Sequence, residues 1–143
     1  MRFMVIVKGG KDCEAGVTPD NKSLAEMGKY NEELTKAGLM LALEGLQPSS
    51  KGARVRFSGT QRTVTDGPFV ESKELIGGYW LWQVDSLQAA IEWLKRAPFK
   101  DGTEVEIRQL FEAEDFSAKF TQALREQEAP QPARVAQLRK EAS

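Results

Sequence analysis

Four polar side chains stand at positions from which they could do chemistry. Asp66 opens an Asp-Gly-Pro-Phe turn, Glu44 sits on an otherwise apolar side of a predicted strand, and Arg108 alternates with apolar residues. A carboxylate can transfer a proton, and a guanidinium can hold a carboxylate or phosphate through paired hydrogen bonds. Asp66 is therefore the candidate catalytic residue. The candidate ligand-binding residues are Glu44, Asp66, Tyr79 and Arg108.

Each of these residues also has a purely structural interpretation. Asp66 can accept hydrogen bonds from backbone N–H groups of its own turn. Arg108 can pair with Glu44 or Glu106 simply because a buried charge needs a partner. The alternative is that the charged groups line a cavity, in which Arg108 binds an anionic small molecule. The residue pattern alone leaves these interpretations open.

The chain contains no histidine. It therefore lacks the side chain best suited to proton transfer near neutral pH and the commonest nitrogen ligand of metals. A histidine-ligated zinc site and Ser-His-Asp catalysis are excluded, and we expect neither a metal nor a cofactor. Cys13 is the single cysteine, which excludes an internal disulfide and suits a reducing compartment.

Charge and hydropathy limit the partners that the chain can have. Its 20 basic and 21 acidic side chains give no global field that would attract nucleic acid. Four basic residues on a predicted hairpin, Lys51, Arg54, Arg56 and Arg62, are interpreted as keeping an exposed edge soluble. The first apolar run, 3–7, is too short for a signal peptide or a membrane span. We expect a cytoplasmic protein that binds neither membranes nor nucleic acid.

Hydrophobic periodicity predicts the order strand, helix, strand, hairpin, strand, helix, strand, which is a ferredoxin-like split βαβ fold of the α+β class. Thr18-Pro19 is predicted to cap the first helix, Asp85 or Ser86 to cap the second, and 11–16 to form a loop. The predicted strands cover 1–8, 39–46, 79–84 and 103–111, the helices end at Gly38 and Pro98, and the hairpin pairs 53–57 with 61–65.

Both helices are expected to cover the same face of the sheet. The opposite face then carries Met4, Ile6, Met40, Ala42 and one row of the 79–84 strand, which is too much apolar surface to leave in water. We therefore expect a homodimer packed sheet to sheet. The predicted domain is 1–112, followed by a docking helix over 113–128 with an apolar stripe and a mobile tail over 129–143.

Several separated motifs resemble the YCII-related family, in the branch named for its Asp-Gly-Pro-Phe motif. They include the opening Met1-Arg2-Phe3-Met4-Val5-Ile6-Val7-Lys8, Glu44-Gly45-Leu46-Gln47-Pro48, Asp66-Gly67-Pro68-Phe69, Gly77-Gly78-Tyr79 and Glu106-Ile107-Arg108. The resemblance implies a ferredoxin-type domain that dimerises into an α/β barrel, in a family whose members mostly have no assigned reaction. Relatives often carry histidine after the Glu-Gly-Leu triplet, where this chain has Gln47.

Two functions of different classes follow. The leading hypothesis is a homodimeric small-molecule-binding protein, or an enzyme of modest power, with a cleft near the Asp-Gly-Pro-Phe turn and a carboxylate or phosphate ligand. The alternative is a regulatory or protein-interaction module, because relatives of this branch are associated with extracytoplasmic-function sigma factors. Such a module would use an exposed patch, for which the helix bearing Phe116 and Phe120, or the tail, is the candidate.

Overall fold

A computed structural model describes residues 1–70, 74–116, 126 and 140–142. The chain divides into two units, Met1–Leu110 and Phe111–Ser143. In the second unit, the 3₁₀ turn Ala113–Asp115 is the secondary structure defined over 111–116. Most of the predicted docking helix over 113–128 and of the predicted tail over 129–143 lies outside the described residues, so both stay predictions.

The first unit contains the elements that the periodicity predicted, with small changes at their ends. Its strands and helices, in chain order, are β1 (Arg2–Lys8), α1 (Lys11–Glu14), α2 (Asn21–Lys36), β2 (Met40–Gly45), β3 (Ala53–Ser58), β4 (Gln61–Asp66), β5 (Ile76–Gln83), α3 (Leu87–Lys95) and β6 (Val105–Gln109). A 3₁₀ turn, Ser49–Lys51, precedes β3. The aromatic strand β5 starts three residues earlier than predicted, and β6 is shorter than predicted.

The strands form a four-stranded antiparallel sheet in the order β2-β5-β1-β6. With α2 and α3 as the two crossover helices, this is the ferredoxin-like arrangement, and the predicted fold class is confirmed at that level. Strands β3 and β4 form the predicted hairpin insertion, and within the described ranges they pair only with each other. We call this two-stranded hairpin, residues 53–66, the ribbon.

The hydrophobic core lies on the helix-covered face of the sheet. Phe3 and Val5 of β1 lie opposite Trp82 and Trp80 of β5, and all four side chains are buried. The Trp80 indole N–H donates to Asn31 Oδ1 of α2 over 2.9 Å, which aligns that helix on the sheet. Because alternate residues of a strand point to opposite faces, this row of tryptophans also determines which residues point away from the helices.

The predicted start of α2 at Thr18-Pro19 is wrong. The helix begins at Asn21, and the N-cap is Asp20, whose Oδ1 accepts the Ser23 N–H at 2.7 Å. That contact lowers the pKa of the Asp20 carboxyl, because the backbone N–H stabilises its charged form. The cap of α3 is Ser86, one of the two predicted residues, and its Oγ accepts the Ala89 N–H. Residues 11–14 form the short helix α1 where a loop was predicted.

The prediction that Met40 lies on the face away from the helices is also wrong. The pairing of β2 with β5 contains an irregularity between Met40 and Ala42, so that Met40 lies opposite Trp82 and packs against the core. A strand irregularity of this kind interrupts the alternation of faces, so that the residue before it and the residues after it do not follow one regular pattern. Ala42 and Glu44 nevertheless point to the predicted side, because they lie opposite Leu81 and Tyr79.

We call the sheet surface that faces away from the helices the open face. Two neighbouring rows of cross-strand partners form its centre: Ala42, Leu81, Met4 and Arg108 in one, and Glu44, Tyr79, Ile6 and Glu106 in the other. Leu81 and Met4 occupy the middle of the first row, and Tyr79 and Ile6 the middle of the second. Charged side chains lie at both ends of the second row and, as Arg108, at one end of the first.

None of the helices in the described part of the chain has the length and hydrophobicity that a membrane span requires.

Tyr30 joins the two helices at the edge of the core. Its ring lies edge-on to Trp80 with centroids 6.0 Å apart, and its hydroxyl donates to the Trp93 carbonyl of α3 over 2.6 Å. Burial raises the pKa of the Tyr30 hydroxyl to about 12, because the phenolate would lose its hydration.

This raised pKa predicts a loss of stability in alkali. An unfolded tyrosine ionises near pH 10, whereas the folded side chain stays neutral until about pH 12, so the stabilisation is complete below pH 10 and is lost as pH rises toward 12. We expect the free energy of unfolding to fall by about 2 to 3 kcal/mol over this interval from Tyr30 alone. Urea unfolding of wild type and Tyr30→Phe at several pH values measures it. If the free energy of unfolding falls equally with pH in the two proteins, Tyr30 is not the cause of the loss in alkali.

Candidate functional site

The Asp-Gly-Pro-Phe turn packs its backbone against the segment that follows β2. The Gly67 N–H donates to the Gly52 carbonyl over 3.0 Å, and the Gly67–Pro68 peptide bond is cis. A Cβ atom on Gly67 would lie 1.7 Å from the Ser49 carbonyl oxygen, so only glycine fits this position. The motif therefore holds two backbone segments in direct contact at the base of the ribbon.

Ser49 is the centre of a hydrogen-bond network at this contact. Its hydroxyl donates to one carboxylate oxygen of Glu14, and its backbone N–H donates to the other over 3.2 Å. The Ser49 Oγ also accepts the Phe69 N–H over 3.0 Å. Since Glu14 belongs to α1, Ser49 to the 3₁₀ turn and Phe69 to the motif, one serine side chain connects three separate segments.

A cavity of about 270 Å³ opens beside this network. It joins a small number of converging polar groups to apolar walls, which is the usual composition of a small-molecule site. The polar lining residues are Glu14, Gln47, Ser49 and Glu74, and the apolar ones are Leu46, Phe69, Leu75 and Ile76. The Arg54 guanidinium of the ribbon lies 3.9 Å from the centroid of the Phe69 ring, and this contact stabilises the position of the Phe69 side chain that lines the cavity.

A larger groove, about 680 Å³, lies between α3 and β6. It is lined by apolar residues such as Ile91 and Val105 and by polar residues such as Lys95 and Asp101. It is an open gap between a helix and an edge strand. We therefore place the candidate site at the smaller cavity, where hydrogen-bonded polar groups converge.

Asp66, the candidate catalytic residue, is the last residue of β4, as the turn predicted. It lies opposite Ala53, is exposed, and is absent from the lining of the cavity beside the turn. The turn N–H groups of Gly67 and Phe69 donate to Gly52 and Ser49, so Asp66 does not accept them.

The other three predicted site residues lie on the open face. Glu44 and Tyr79 are direct cross-strand neighbours. Arg108 is on β6, three strands from Glu44 on β2, which separates the two backbones by about 14 Å. The structure thus brings Glu44 together with Tyr79, and separates both of them from Arg108 within one chain.

The carboxylate that lies near Arg108 is Glu106. Arg108 Nε is 3.9 Å from Glu106 Oε2, and Lys8 Nζ is 3.5 Å from Glu106 Oε1. The Arg108 side chain is 74% exposed, so this long ion pair contributes little to stability. Arg108 keeps donors that a further acidic group can use.

Glu14, Ser49 and Glu74 were not among the predicted site residues. Glu14 stands in a polar, glycine-punctuated stretch without an apolar period, and Ser49 in a Pro-Ser-Ser segment that indicates only a chain break. Their association depends on contacts between residues 35 positions apart. The single usable signal was Gly67, because a glycine before proline in a fixed turn indicates a close backbone approach.

The YCII-related domain model matches residues 1–114 of the chain. The chain belongs to the YCII-related family. A curated relative, an uncharacterised protein of Rhizobium meliloti (strain 1021), is 28% identical over 76 residues, which are 53% of this chain. The aligned part spans 61% of that relative's length.

The YCII-related chain also has a similar solved structure. This is 5-chloro-2-hydroxyhydroquinone dehydrochlorinase from Burkholderia phenoliruptrix AC1100, in complex with 2,5-dihydroxybenzoquinone. The match has a TM-score of 0.39 and 14% sequence identity, and it covers 80% of this chain and 98% of that one. The family assignment rests on the domain match, and the fold on the strand order described above.

The contact between Gly67 and Ser49 predicts a steric requirement for glycine. Gly67→Ala is expected to destabilise the domain by about 3 kcal/mol or more, because the methyl group would overlap a backbone carbonyl that α1 and the turn hold in place. Denaturant unfolding measures the change.

The matched control is Gly28→Ala in α2, where an added Cβ would meet nothing within 4 Å. This substitution should be neutral or stabilise by up to about 1 kcal/mol, because alanine favours the helix. Equal effects of the two substitutions would show that the turn does not need glycine.

Proposed function

We propose that this YCII-related protein is a homodimer that binds a small molecule in the cavity beside the Asp-Gly-Pro-Phe turn. The supporting observation is the convergence of Glu14, Ser49 and Glu74 on a cavity whose other walls are mainly apolar. The hydrogen bonds of Ser49 to Glu14 and to the Phe69 N–H hold the Glu14 and Ser49 groups in place, so this part of the site is formed before the ligand arrives. Such preorganisation lowers the entropy cost of binding.

The polar groups of the cavity favour a ligand that donates hydrogen bonds. A carboxylate has about four acceptor positions, and Ser49 fills two of those on Glu14. Glu74 adds a second carboxylate, and Gln47 adds an amide that can both donate and accept. We therefore propose a small amine or polyhydroxy compound with an apolar part. The carboxylate or phosphate ligand predicted from Arg108 stays a separate prediction, since Arg108 lies on the open face.

Any catalysis in this cavity would depend on carboxylates. With no histidine in the chain, Glu14 and Glu74 are the lining groups that can accept a proton from a bound hydroxyl or ammonium group. Glu14 is positioned by Ser49, so its oxygens point in a fixed direction. This chemistry is consistent with a weak enzyme as well as with a binding protein.

The proposed dimer joins two open faces. Met4, Leu81 and Tyr79 are only partly buried in the single chain, and a second copy would cover them. Glu44 and Arg108 lie on opposite edge strands, β2 and β6. A two-fold axis that packs the sheets face to face can bring Glu44 of one copy to Arg108 of the other, which gives a role to two residues that cannot meet within one chain.

The regulatory alternative remains a prediction. Its candidate docking surfaces were the helix bearing Phe116 and Phe120, and the tail. Phe120 and tail residues 129–139 and 143 lie outside the described residues. No contact of the described residues favours a sigma-factor link over ligand binding, so we give the small-molecule proposal precedence.

Ligand binding is expected to raise the melting temperature of the protein, because a ligand that prefers the folded state stabilises it by mass action. We expect a hit among small amines and polyols in a thermal-shift screen that also contains carboxylates and phosphates. Glu14→Gln and Glu74→Gln should each weaken the affinity by about tenfold or more, as expected for loss of a hydrogen bond to a charged group.

The control for this screen is Glu26→Gln, an exposed residue of α2 outside the cavity lining. It makes the same chemical change and should leave the affinity unaltered. A screen in which amines and polyols give no shift, or a hit that binds all three variants equally, would contradict the proposed site.

The dimer has its own test. Leu81→Lys places a charge in the middle of the open face and should weaken association by roughly 100-fold or more, because the charge would be buried without a partner. Leu24→Lys makes the same change at a 52% exposed position on α2 and should leave association unchanged. Sedimentation velocity over a concentration series distinguishes the two. A wild type that is monomeric throughout, or a dimer that tolerates Leu81→Lys, would contradict sheet-to-sheet pairing.

A further inference from the structure

The ribbon is exposed over its whole length. Every residue of β3 and β4 is exposed, and among the described residues the two strands pair only with each other. A two-stranded hairpin is at best marginally stable in water when no third element covers it. The composition of its faces therefore indicates what else contacts it.

Strand alternation gives the ribbon two different faces. One face is polar and carries Arg54, Arg56, Ser58, Gln61, Thr63 and Thr65. The other, which we call the apolar ribbon face, carries Ala53, Val55, Phe57, Arg62, Val64 and Asp66. On that face Val55 is 51% exposed, Val64 63% and Phe57 71%. Three large apolar side chains in one contiguous row are unusual on a free surface and indicate a contact.

The apolar ribbon face is complementary to itself. Its centre is the cross-strand pair Val55 and Val64, one end carries Phe57 with Arg62, and the other end carries Ala53 with Asp66. Each end thus presents one charged and one apolar residue. The Phe57 end has a positive charge and a large apolar residue, and the Ala53 end has a negative charge and a small apolar residue. Arg62 and Asp66 are four residues apart on one strand, about 13 Å, so they cannot pair within a chain.

We propose that the apolar ribbon face binds the same face of a second copy of this chain. A two-fold axis that crosses the strands at the central pair places Val64 against Val64 of the second copy, and Val55 against Val55. The same axis places Arg62 against Asp66 of the second copy, and Phe57 against Ala53, at both ends of the contact. An isologous interface needs this kind of self-complementarity, and aligned sheets pack in this way.

Contacts within the ribbon fix the position of the Arg62 side chain. Its guanidinium lies 4.5 Å from the centroid of the Phe57 ring, and its Nη1 donates to the carbonyls of Gly59 at 2.9 Å and Gln61 at 2.8 Å. These bonds fix the side chain on the apolar ribbon face. The guanidinium has five N–H donors in all, so Nε and Nη2 remain for a carboxylate of the second copy.

The contact is independent of the proposed ligand site and of the open face. None of its six residues lines the cavity beside the turn, and all of them belong to the ribbon and not to the main sheet. A face of six residues per copy is small compared with a stable dimer interface, so the contact is weak on its own. A cross-linking experiment suits such a contact because it captures short-lived pairs.

The first experiment uses a short bismaleimide on single-cysteine variants in a Cys13→Ser background. Val64→Cys and Val55→Cys lie at the proposed two-fold axis, whereas Thr63→Cys lies next to Val64 on the opposite face of the same ribbon. We expect dimers of both central variants to form at least tenfold faster than dimers of Thr63→Cys. Equal rates for the three variants would overturn the proposal. Using two central positions keeps the test valid if one variant folds poorly by circular dichroism.

The second experiment tests the charges on the Val64→Cys background. Arg62→Asp places like charges at both ends of the contact, and Asp66→Arg does the same with the opposite sign, so each is expected to slow cross-linking by about tenfold. The double variant exchanges the charges and should restore the rate. Since the two residues cannot meet within one chain, rescue reports a contact between copies. A double variant as slow as the single ones would overturn the proposed pairing, and unchanged single variants would as well.

Discussion

The close approach of the Gly67 backbone to the Ser49 carbonyl is the constraint on which the rest of the site depends. No side chain fits between the two segments, so the base of the ribbon lies at one distance from the segment after β2. That distance lets the Ser49 hydroxyl bond to Glu14 and lets the Phe69 N–H bond to Ser49. The candidate cavity is thus defined mainly by backbone contacts, with a few side chains placed by them.

The open face and the apolar ribbon face, which remain accessible, indicate where the protein makes contacts. The core fills the helix side of the sheet, where the Trp80 and Trp82 side chains are buried. Within the described part of the chain, no helix covers the open face or the apolar ribbon face in the way that α2 and α3 cover the core. Both carry apolar centres with charged residues toward their edges, which is the composition typical of protein–protein interfaces.

The fold could be predicted from the sequence because its signals are local and repeated. Alternation in β1 and β5, the apolar spacing of α2 and α3, and Gly38 after the first helix all act within a few residues. The failures have local physical causes as well. Asp20 was a better N-cap than Thr18 because its carboxylate reaches the Ser23 N–H, and the irregularity after Met40 turned one side chain to the other face.

The candidate site could be predicted only in part. The Asp-Gly-Pro-Phe turn indicated the region in which the candidate cavity lies, because its residue types restrict the backbone directly. Glu14 and Ser49 gave no signal, since their association is a contact between segments far apart in the sequence. Arg108 and Glu44 were correctly assigned to one face of the sheet, but they lie on opposite edge strands. The order of the strands cannot be deduced from the alternation of residues within either strand.

The ribbon also bears on how the chain reaches its fold. Strands β2 and β5 are neighbours in the sheet, yet about 30 residues separate them, so their pairing must close a long loop. A hairpin forms within microseconds from local contacts and brings residues 53 and 66 together first. The loop that remains is shorter by the length of the ribbon, which lowers the entropy cost of closure by about 0.5 kcal/mol. An insertion built as a hairpin therefore delays the pairing of its flanking strands less than a flexible segment of equal length.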